Sequence, residues 1–480
     1  MIQQKKYFNN QEEFLNSSLL SHQVLHIALS FKEIDKEGAS CLGSALANCT
    51  NLTTLDFDLS CNQIGVIGTQ DLGSGLANCK NLSSLIFYLI ENQIGDEGSL
   101  YLGSALANCT NLSNLALFLS SNQIGNKGLS SLISALANCT NLSNLTLDLS
   151  QNEIGDEGVI GLGSALANFT NLSNLTLYFS CNKIYDGGLS GLDFALANHT
   201  NLSNLTLDFS SNKISAIGAS GLSFALANFT NLLNLTIYLS CNKIGDKYES
   251  DLCFGFKNCT NLSNLKLYFS SSQIDDECAS ALSYSLGNFT NLTNLELYLS
   301  YNKIGSTGAS GLGSALRNFT KLTSLSLDLC SNEIGAIGAS DLGTGLANCT
   351  NLSNLTIDFS GNKIGDEGVS NLCYALANCT NLSNLNLNLC SNEIADTGAS
   401  GLSSGLVNCT NLSNLKLNLR GNKIGDNGGS DLLFNLANCT ILSSLILYLI
   451  KNEINESQQL KLKSRCLKLK RLVVFKIYLK

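Results

Sequence analysis

Apolar and polar residues alternate in short runs along this chain, and each run returns after 30 residues. The first complete run is LTTLDFDLSCNQI, residues 52–64, in which single aspartates separate Leu55, Phe57 and Leu59. An alternation with period two predicts a β-strand whose apolar side chains all lie on one face. These three side chains are therefore expected to point inward, and the aspartate between the last two, Asp58, is expected to point outward.

A helical pattern follows each of these strand runs. In DEGVIGLGSALAN, residues 156–168, Leu162 and Leu166 lie four positions apart, and two acidic residues open the segment. This spacing places both leucines on one helix face, and acidic residues in a first turn suit the positive end of the helix dipole. Each strand run is therefore expected to lead into an amphipathic helix.

Glycine and asparagine mark the connections between the strands and the helices. Gly65 and Gly68 predict a turn with backbone angles that other residues avoid. Asn78 recurs in all fourteen copies and is expected to end the helix in the left-handed conformation, which Asn tolerates. Asn62 follows the strand and recurs at thirteen of fourteen positions, with Ser272 as the exception. A buried Asn there is expected to bond the turn backbone of its own and neighbouring repeats, which would form a ladder.

One repeat is thus a strand, a turn, a helix and a turn, and the predicted fold class is an α/β solenoid of about 15 repeats. A single repeat cannot bury its own leucines, so the core must form by stacking successive repeats. Parallel strands are expected to line one face and helices the other. Because a helix is wider than a strand, the stack is expected to curve with its strands on the concave side.

These motifs resemble the leucine-rich repeats of the ribonuclease-inhibitor-like class, over about residues 21–480. The resemblance implies a horseshoe with a parallel sheet on the concave face, helices on the convex face, and protein binding as the usual function. The chain departs from that class in its unit length, because about 28 residues are usual and Asn62 stands two residues late. A strand lengthened by Leu59 inward and Asp58 outward explains the excess, so strand pairing is expected over residues 55–59.

The two ends and one internal segment follow the repeat less closely. We predict an N-terminal capping segment at 1–20 that contains a short helix, a solenoid at 21–450, and a basic C-terminal cap repeat at 451–480 that ends in a strand. In segment 245–280 the turn glycines and one turn asparagine are replaced. Two interpretations of that segment stay open: a local kink or thicker convex patch, and ordinary drift of the repeat.

Composition narrows the class of protein and its compartment. The net charge of −9 disfavours nucleic acid as a partner, and neither a signal peptide nor a run of 18 apolar residues is present, so we expect no transmembrane segment. Nine of the 19 cysteines share one repeat position, from Cys49 to Cys439, where other copies carry Phe or His199. This interchange predicts a buried packing position, not a disulfide framework, and a reducing, cytoplasmic location.

The chain shows no motif for catalysis or for a cofactor. The paired Cys-x-x-Cys spacing of a metal site is absent, so no metal is expected. The three histidines, His22, His26 and His199, do not form a recognisable constellation with a nucleophile. The glycine-rich pieces lack the Lys-Ser/Thr pair of a phosphate loop. We therefore predict no catalytic residues, no cofactor and no enzymatic activity.

The outward strand position represented by Asp58 varies most and carries several tyrosines. Neighbouring strands lie about 4.8 Å apart, so equivalent residues of successive repeats are expected to stand side by side. Exposed Tyr beside charged residues is typical of the centre of a protein interface, although Tyr also suits strands without any binding role. The predicted partner-binding residues are Tyr238, Tyr268, Tyr298, Lys266, Glu296, Asp328 and Asp358.

The predicted function is a non-catalytic scaffold that binds a protein partner on its concave strand face. The alternative is a regulator of a small GTPase resembling the Ran GTPase activator, whose family typically carries an acidic tail after the repeats. Residues 451–480 instead hold nine Lys or Arg and two Glu, a net charge of +7, which counts against that alternative. Within them, 460–472 alternates apolar and basic residues, which favours either a solvated end-cap face or weak contact with an acidic partner or membrane surface.

Overall fold

The computed structural model describes residues 5–196, 199, 201–226, 229–245, 259, 261–466 and 472–479. The chain divides into two compact units, Met1–Tyr238 and Leu239–Lys480, and the repeat pattern continues through both.

The strands of the first unit are β1 (Lys5–Phe8), β2 (Val24–Ala28), β3 (Thr54–Asp58), β4 (Ser84–Tyr88), β5 (Asn114–Phe118), β6 (Asn144–Asp148), β7 (Asn174–Tyr178), β8 (Asn204–Asp208) and β9 (Asn234–Tyr238). The strands of the second unit are β10 (Asn264–Tyr268), β11 (Asn294–Tyr298), β12 (Ser324–Asp328), β13 (Asn354–Asp358), β14 (Asn384–Asn388), β15 (Asn414–Asn418), β16 (Ser444–Tyr448) and β17 (Val474–Tyr478).

The helices described in the first unit are α1 (Gln11–Leu15), α2 (Lys36–Ala47), α3 (Gly65–Leu76), α4 (Gly95–Leu106), α5 (Asn126–Leu136), α6 (Asp156–Leu166), α7 (Asp186–Leu196) and α8 (Ala216–Leu226), with one 3-10 turn at Leu19–Ser21. Those described in the second unit are α9 (Asp276–Leu286), α10 (Ser306–Leu316), α11 (Gly335–Leu346), α12 (Gly365–Leu376), α13 (Asp396–Val407), α14 (Asp426–Leu436) and α15 (Glu456–Cys466).

Within each unit the strands pair in chain order, and every pair is parallel. From β2 onward the register joins residues 30 apart, for example Leu55 to Leu85 in the first unit and Leu265 to Leu295 in the second. The register follows from the repeat, because a shift by one residue would turn every strand leucine to the opposite face. The predicted α/β leucine-rich-repeat solenoid is confirmed as the fold class.

The lengthened strand run is confirmed by burial. Leu55, Phe57 and Leu59 are all completely buried, while the residues between them are partly exposed. The regular strand begins at Thr54, one residue earlier than expected, and ends at Asp58. The pairing nevertheless continues one residue further, because the Leu59 N–H donates to the Tyr88 carbonyl at 2.9 Å.

The asparagine after each strand forms the predicted ladder. The Asn62 amide nitrogen donates to the carbonyls of Leu29 in the preceding repeat and Leu59 in its own, at 2.9 and 2.8 Å. Its amide oxygen accepts the N–H groups of Lys32 and Ile34 of the preceding repeat, at 3.1 and 2.9 Å. One side chain thus satisfies the buried backbone of two successive turns, which explains why it recurs.

One expectation about turn geometry needs correction, and one left-handed position was not foreseen. Gly65 does have a positive φ of 61°, but Gly68 lies inside α3 with helical neighbours on both sides. A Cβ on Gly68 would lie 2.7 Å from Ile64 Cγ2 and 2.9 Å from Ala39 Cβ, so close packing, not backbone angle, requires glycine there. The residue before the ladder asparagine also adopts a left-handed conformation, which the sequence did not indicate. Cys61, with φ 56°, is an example.

The expected left-handed helix end at Asn78 and its equivalents is wrong. Asn48 and Asn408, which occupy the same repeat position, have φ values of −91° and −80°. Asn78 instead uses its side chain, because its amide nitrogen donates to the Ser74 carbonyl at 3.0 Å. The amide thereby satisfies a last-turn carbonyl that the helix leaves unbonded, which removes the need for a left-handed residue.

Helix starts are capped across repeats. The Asp96 carboxylate, in the first turn of α4, accepts the N–H groups of Gly125 and Gly128 at the start of α5, at 2.7 and 2.9 Å. Asp276 does the same for Gly305 and Gly308, both at 2.7 Å. The acidic residues of a first turn therefore cap the start of the next helix, and they also interact favourably with the dipole of their own helix.

The two ends of the chain contain the short helix and final strand that were expected, together with one strand that was not. Helix α1 falls inside segment 1–20, where the Asn10 side chain caps it, and β17 is the final strand. Strand β1 has no counterpart in the repeat frame. The domain boundaries 21–450 and 451–480 stay predictions. Residues 246–258 and 260, part of the irregular segment 245–280, and residues 467–471 of the basic segment lie outside the described residues.

Candidate functional site

The strand face, defined as the outward side chains of the strands, is the surface on which the predicted binding residues lie. In β10–β12 the first, third and fifth residues are partly exposed, and the second and fourth are buried. Parallel pairing aligns equivalent residues in rows that cross the strands. Each unit therefore presents ordered rows of side chains on a rigid sheet.

The structure brings most of the predicted binding residues together in the second unit. The Tyr268 and Tyr298 rings stack with their centroids 4.4 Å apart and their planes 5° from parallel. Register places Tyr298 beside Asp328, and Asp328 beside Asp358. Tyr238 belongs to the first unit, where it ends β9 next to Asp208 of β8.

Lys266 and Glu296 form an ion pair on the strand face. Lys266 Nζ lies 2.9 Å from Glu296 Oε1, and the side chains are 39% and 20% exposed. The Tyr298 hydroxyl donates weakly to the other Glu296 oxygen at 3.5 Å. Because the two charges compensate each other, this pair shapes the surface beside the tyrosines more than it supplies a free charge.

Asp328 and Asp358 bond the turn that follows their own strands. Asp328 accepts the Cys330 N–H at 3.1 Å, and Asp358 accepts the Ser360 N–H at 2.8 Å and the Asn388 amide at 2.6 Å. Burial raises the pKa of Asp328, and the Cys330 N–H opposes that effect. These carboxylates therefore stabilise local structure as well as carrying negative charge.

Two further aromatic pairs occur on the strand face. Tyr88 and Phe118 stack at 4.4 Å in the first unit, and Tyr448 and Tyr478 stack at 4.5 Å in the second. Burial and the nearby Asp56 raise the pKa of Tyr88. The signal for these pairs was present in the sequence, because aromatic residues 30 apart at one strand position must stack.

A histidine–carboxylate pair lies near the start of the first unit and escaped the sequence reasoning. His26 Nδ1 lies 2.6 Å from Asp56 Oδ2, and the Tyr7 ring stacks on the imidazole with centroids 4.8 Å apart. Tyr7 comes from β1, which is outside the repeat frame. Across the described residues, His, Cys, Asp and Glu side chains form no group of three or more that could hold a metal ion.

The cysteine column is a packing column, as predicted. Cys79 is completely buried, and its thiol donates to the Leu46 carbonyl of the preceding repeat at 3.5 Å. Burial raises its pKa to about 12, so the thiolate required for nucleophilic or metal chemistry is disfavoured. His199 occupies the same column, and burial lowers the pKa of its imidazole.

Within the described residues, the structure contains no helix that is both long enough and apolar enough to cross a membrane.

Comparison with known proteins finds leucine-rich repeats in several segments of the chain. A profile described as Leucine Rich repeat matches residues 115–132, 141–163, 201–223, 291–313, 351–373 and 411–433. No curated protein sequence matches the chain significantly. The chain therefore contains leucine-rich repeats at these six segments, and the 30-residue unit of the sequence fits their spacing. Proteins with leucine-rich repeats typically mediate protein–protein interactions and are generally non-catalytic.

Three solved structures show different degrees of similarity to this chain. A leucine-rich-repeat protein of Leptospira interrogans has 17% identity and a TM-score of 0.57, with 98% of this chain and 99% of that chain covered. An internalin, inlF, of Listeria monocytogenes has 25% identity and a TM-score of 0.48, with 84% and 88% covered. A plant peptide hormone receptor, RGFR1 in complex with RGF2, has 17% identity and a TM-score of 0.41, with 99% and 85% covered. The Leptospira likeness bears on the fold alone.

Proposed function

We propose that this chain is a non-catalytic scaffold that binds a protein partner on its strand face. The observation that carries the proposal is the stacked pair Tyr268 and Tyr298, which stands partly exposed on a rigid parallel sheet. Aromatic side chains that are already ordered lose little entropy on binding, so they are favourable interface anchors.

The charged residues beside the two stacked tyrosines would orient a bound partner. The Lys266–Glu296 pair borders the rings on the same strands, and Asp328 and Asp358 follow on the next two. Tyr238 is included in the proposal as the equivalent residue at the end of the first unit. A partner with an apolar or aromatic side chain over the rings and a basic group towards the aspartates fits this arrangement.

The test compares two sets of tyrosine substitutions in the full chain. Replacing Tyr238, Tyr268 and Tyr298 with Ala is expected to reduce partner capture in affinity purification at least about tenfold. The matched control replaces Tyr284 and Tyr374 with Ala, because these tyrosines are 75% and 51% exposed but lie on helices. Equal capture by both variants and the unchanged chain would contradict the proposal, provided that thermal melts show all three folded.

We also propose a reducing, cytoplasmic location, supported by the burial of the cysteine column among apolar residues. The alternative role as a regulator of a small GTPase stays a prediction from the resemblance. A GTP-hydrolysis assay with purified small GTPases distinguishes it from the scaffold, because a scaffold alone would leave the hydrolysis rate unchanged.

A further inference from the structure

A shallow depression of about 260 Å³ lies on the strand face of the second unit, away from the Tyr268–Tyr298 pair. It spans β13 to β16, and its outward lining includes Thr356, Asn386, Lys416 and Ile446. These four residues are adjacent in register, one on each successive strand. They form a single row across the sheet.

The polar members of this row lack partners of their own. In the described part of the chain, the structure contains no hydrogen bond or ion pair for the side chains of Thr356, Asn386 or Lys416. The corresponding row in β10 and β11 differs, because Lys266 and Glu296 neutralise each other there. Unsatisfied donors in a depression are the groups that a ligand can bond without first breaking a protein contact.

Side-chain hydrogen bonds occur in the rows on either side. Along the first strand position, the Asn384 amide donates to Asn354 at 2.7 Å, and the Asn414 amide donates to Asn384 at 2.7 Å. Along the last position, the Asn388 amide donates to Asp358 at 2.6 Å. These bonds link side chains of neighbouring strands, whereas the polar side chains of the middle row make no such bond.

The charge of this region points to an acidic occupant. Across β13 to β17, the charged residues at outward strand positions are Asp358, Lys416 and Lys476, and Asp358 already accepts bonds from Ser360 and Asn388, so the net charge is positive. Arg420, two residues after the end of β15, is exposed and adds a third cation. Ile446 lies between the two lysines in register and supplies an apolar contact.

We propose that the row Thr356, Asn386 and Lys416 receives an acidic, extended segment of the partner protein, with a carboxylate on Lys416. This inference rests on the proposed function and locates a second contact region on the same strand face. Lys416 and Lys476 stand two strand spacings apart, about 10 Å. That distance corresponds to about three residues of extended chain. Because side chains of an extended chain alternate between its two sides, a second acidic residue two or four positions away faces the sheet and its side chain can reach Lys476.

The experiment is a selection from a display library of random peptides of about ten residues. That length exceeds the roughly six extended residues needed to cross from β13 to β17. Peptides selected on the full chain are expected to be enriched in Asp and Glu, and the variant Lys416→Glu is expected to weaken their binding about tenfold. Asn386→Ala is expected to weaken it several-fold, because it removes an uncharged hydrogen-bonding group.

The matched control is Lys423→Gln, since Lys423 is already paired with Glu393 at 3.1 Å and lies after the strand. It is expected to leave the binding of the selected peptides unchanged. A selected pool without acidic enrichment, the absence of any selected pool, or equal weakening by the control would overturn the proposal. Lys416-dependent binding of single-stranded poly(U) RNA without selected peptides would also overturn it, because the occupant would then be a nucleic acid.

Failure of this inference can be distinguished from failure of the scaffold function. If the tyrosine substitutions abolish partner capture while the peptide library shows no acidic preference, the acidic-segment proposal is wrong and the scaffold function stands. If the tyrosine substitutions leave capture unchanged, the tyrosine-centred scaffold proposal fails by its own test.

Discussion

The asparagine ladder makes a strong prediction about stability, and Asn122 is a suitable place to test it. This side chain is completely buried, and its amide oxygen accepts the Asn92 N–H at 2.9 Å and the Ile94 N–H at 3.3 Å. In Asn122→Ala both N–H groups lose their acceptor in the interior. A buried donor without a partner costs about 1–3 kcal/mol, and the longer bond contributes less.

The carbonyl groups that accept from the Asn122 amide nitrogen add a smaller loss of stability. The Asn122 amide nitrogen donates to the carbonyls of Leu89, Leu119 and Ser120. Leu119 keeps a second donor from Asn152, and Ser120 keeps one from the Glu91 N–H. The Leu89 carbonyl alone loses the bond that satisfied it. With two N–H groups and one carbonyl unpaired, we expect Asn122→Ala to lower the free energy of unfolding by about 3–5 kcal/mol.

The control is the same substitution at an exposed asparagine of the same repeat. Asn111 makes one side-chain bond, to the Lys80 carbonyl at 2.8 Å, at an exposed position. Water replaces that bond when it is lost, so Asn111→Ala is expected to cost less than about 1 kcal/mol. The two free energies are compared by urea unfolding followed by circular dichroism.

Hydrogen exchange supplies the local measurement, because long repeat arrays do not always unfold in one step. The amides of Asn92 and Ile94 are expected to lose protection in Asn122→Ala and to keep it in Asn111→Ala. If the two substitutions cost the same, or if both amides stay protected in Asn122→Ala, the ladder does not support these turns in the way described.

Three further substitutions test the repeat from other directions. Ser272→Asn supplies the amide oxygen that the Ile244 N–H lacks among the described residues. The urea midpoint should therefore rise by the equivalent of about 1 kcal/mol of unfolding free energy. A lower midpoint would contradict this expectation. Burial lowers the pKa of His199 from 6.5, so the unfolded chain binds more protons below about pH 6.5 and stability falls as the pH drops. His199→Phe, the residue that neighbouring repeats place there, should weaken that dependence in thermal melts between about pH 5 and pH 8, while His22, whose pKa burial also lowers, keeps its own share. Asp276→Ala removes the acceptor of the Gly305 N–H and should cost about 1–2 kcal/mol in urea unfolding, whereas Asp276→Asn, which keeps an acceptor, should cost less.

The sequence predicted well the features that depend only on the 30-residue repeat. Alternation in 52–64 predicted the burial of Leu59, and the recurrence of Asn62 predicted a buried ladder, because each depends on a residue and its copies 30 positions away. The left-handed conformation at Cys61 was not predictable in this way, since cysteine has no preference for it. At that position the ladder hydrogen bonds and the preceding strand determine the backbone conformation, and the residue type does not.

The binding surface depends on pairs of repeats, so the composition of one repeat does not reveal it. Lys266, Lys183 and Lys423 each pair with a glutamate 30 residues away, and their charges are thereby compensated. Lys416 has Asn386 and Ile446 at the corresponding distances, and neither can neutralise it. A charged residue on a parallel ladder is therefore available to a partner when both of its neighbours at 30 residues lack the opposite charge. That criterion favours Lys416 over Lys266 as the cation that a partner contacts, although both residues are equally visible in the sequence.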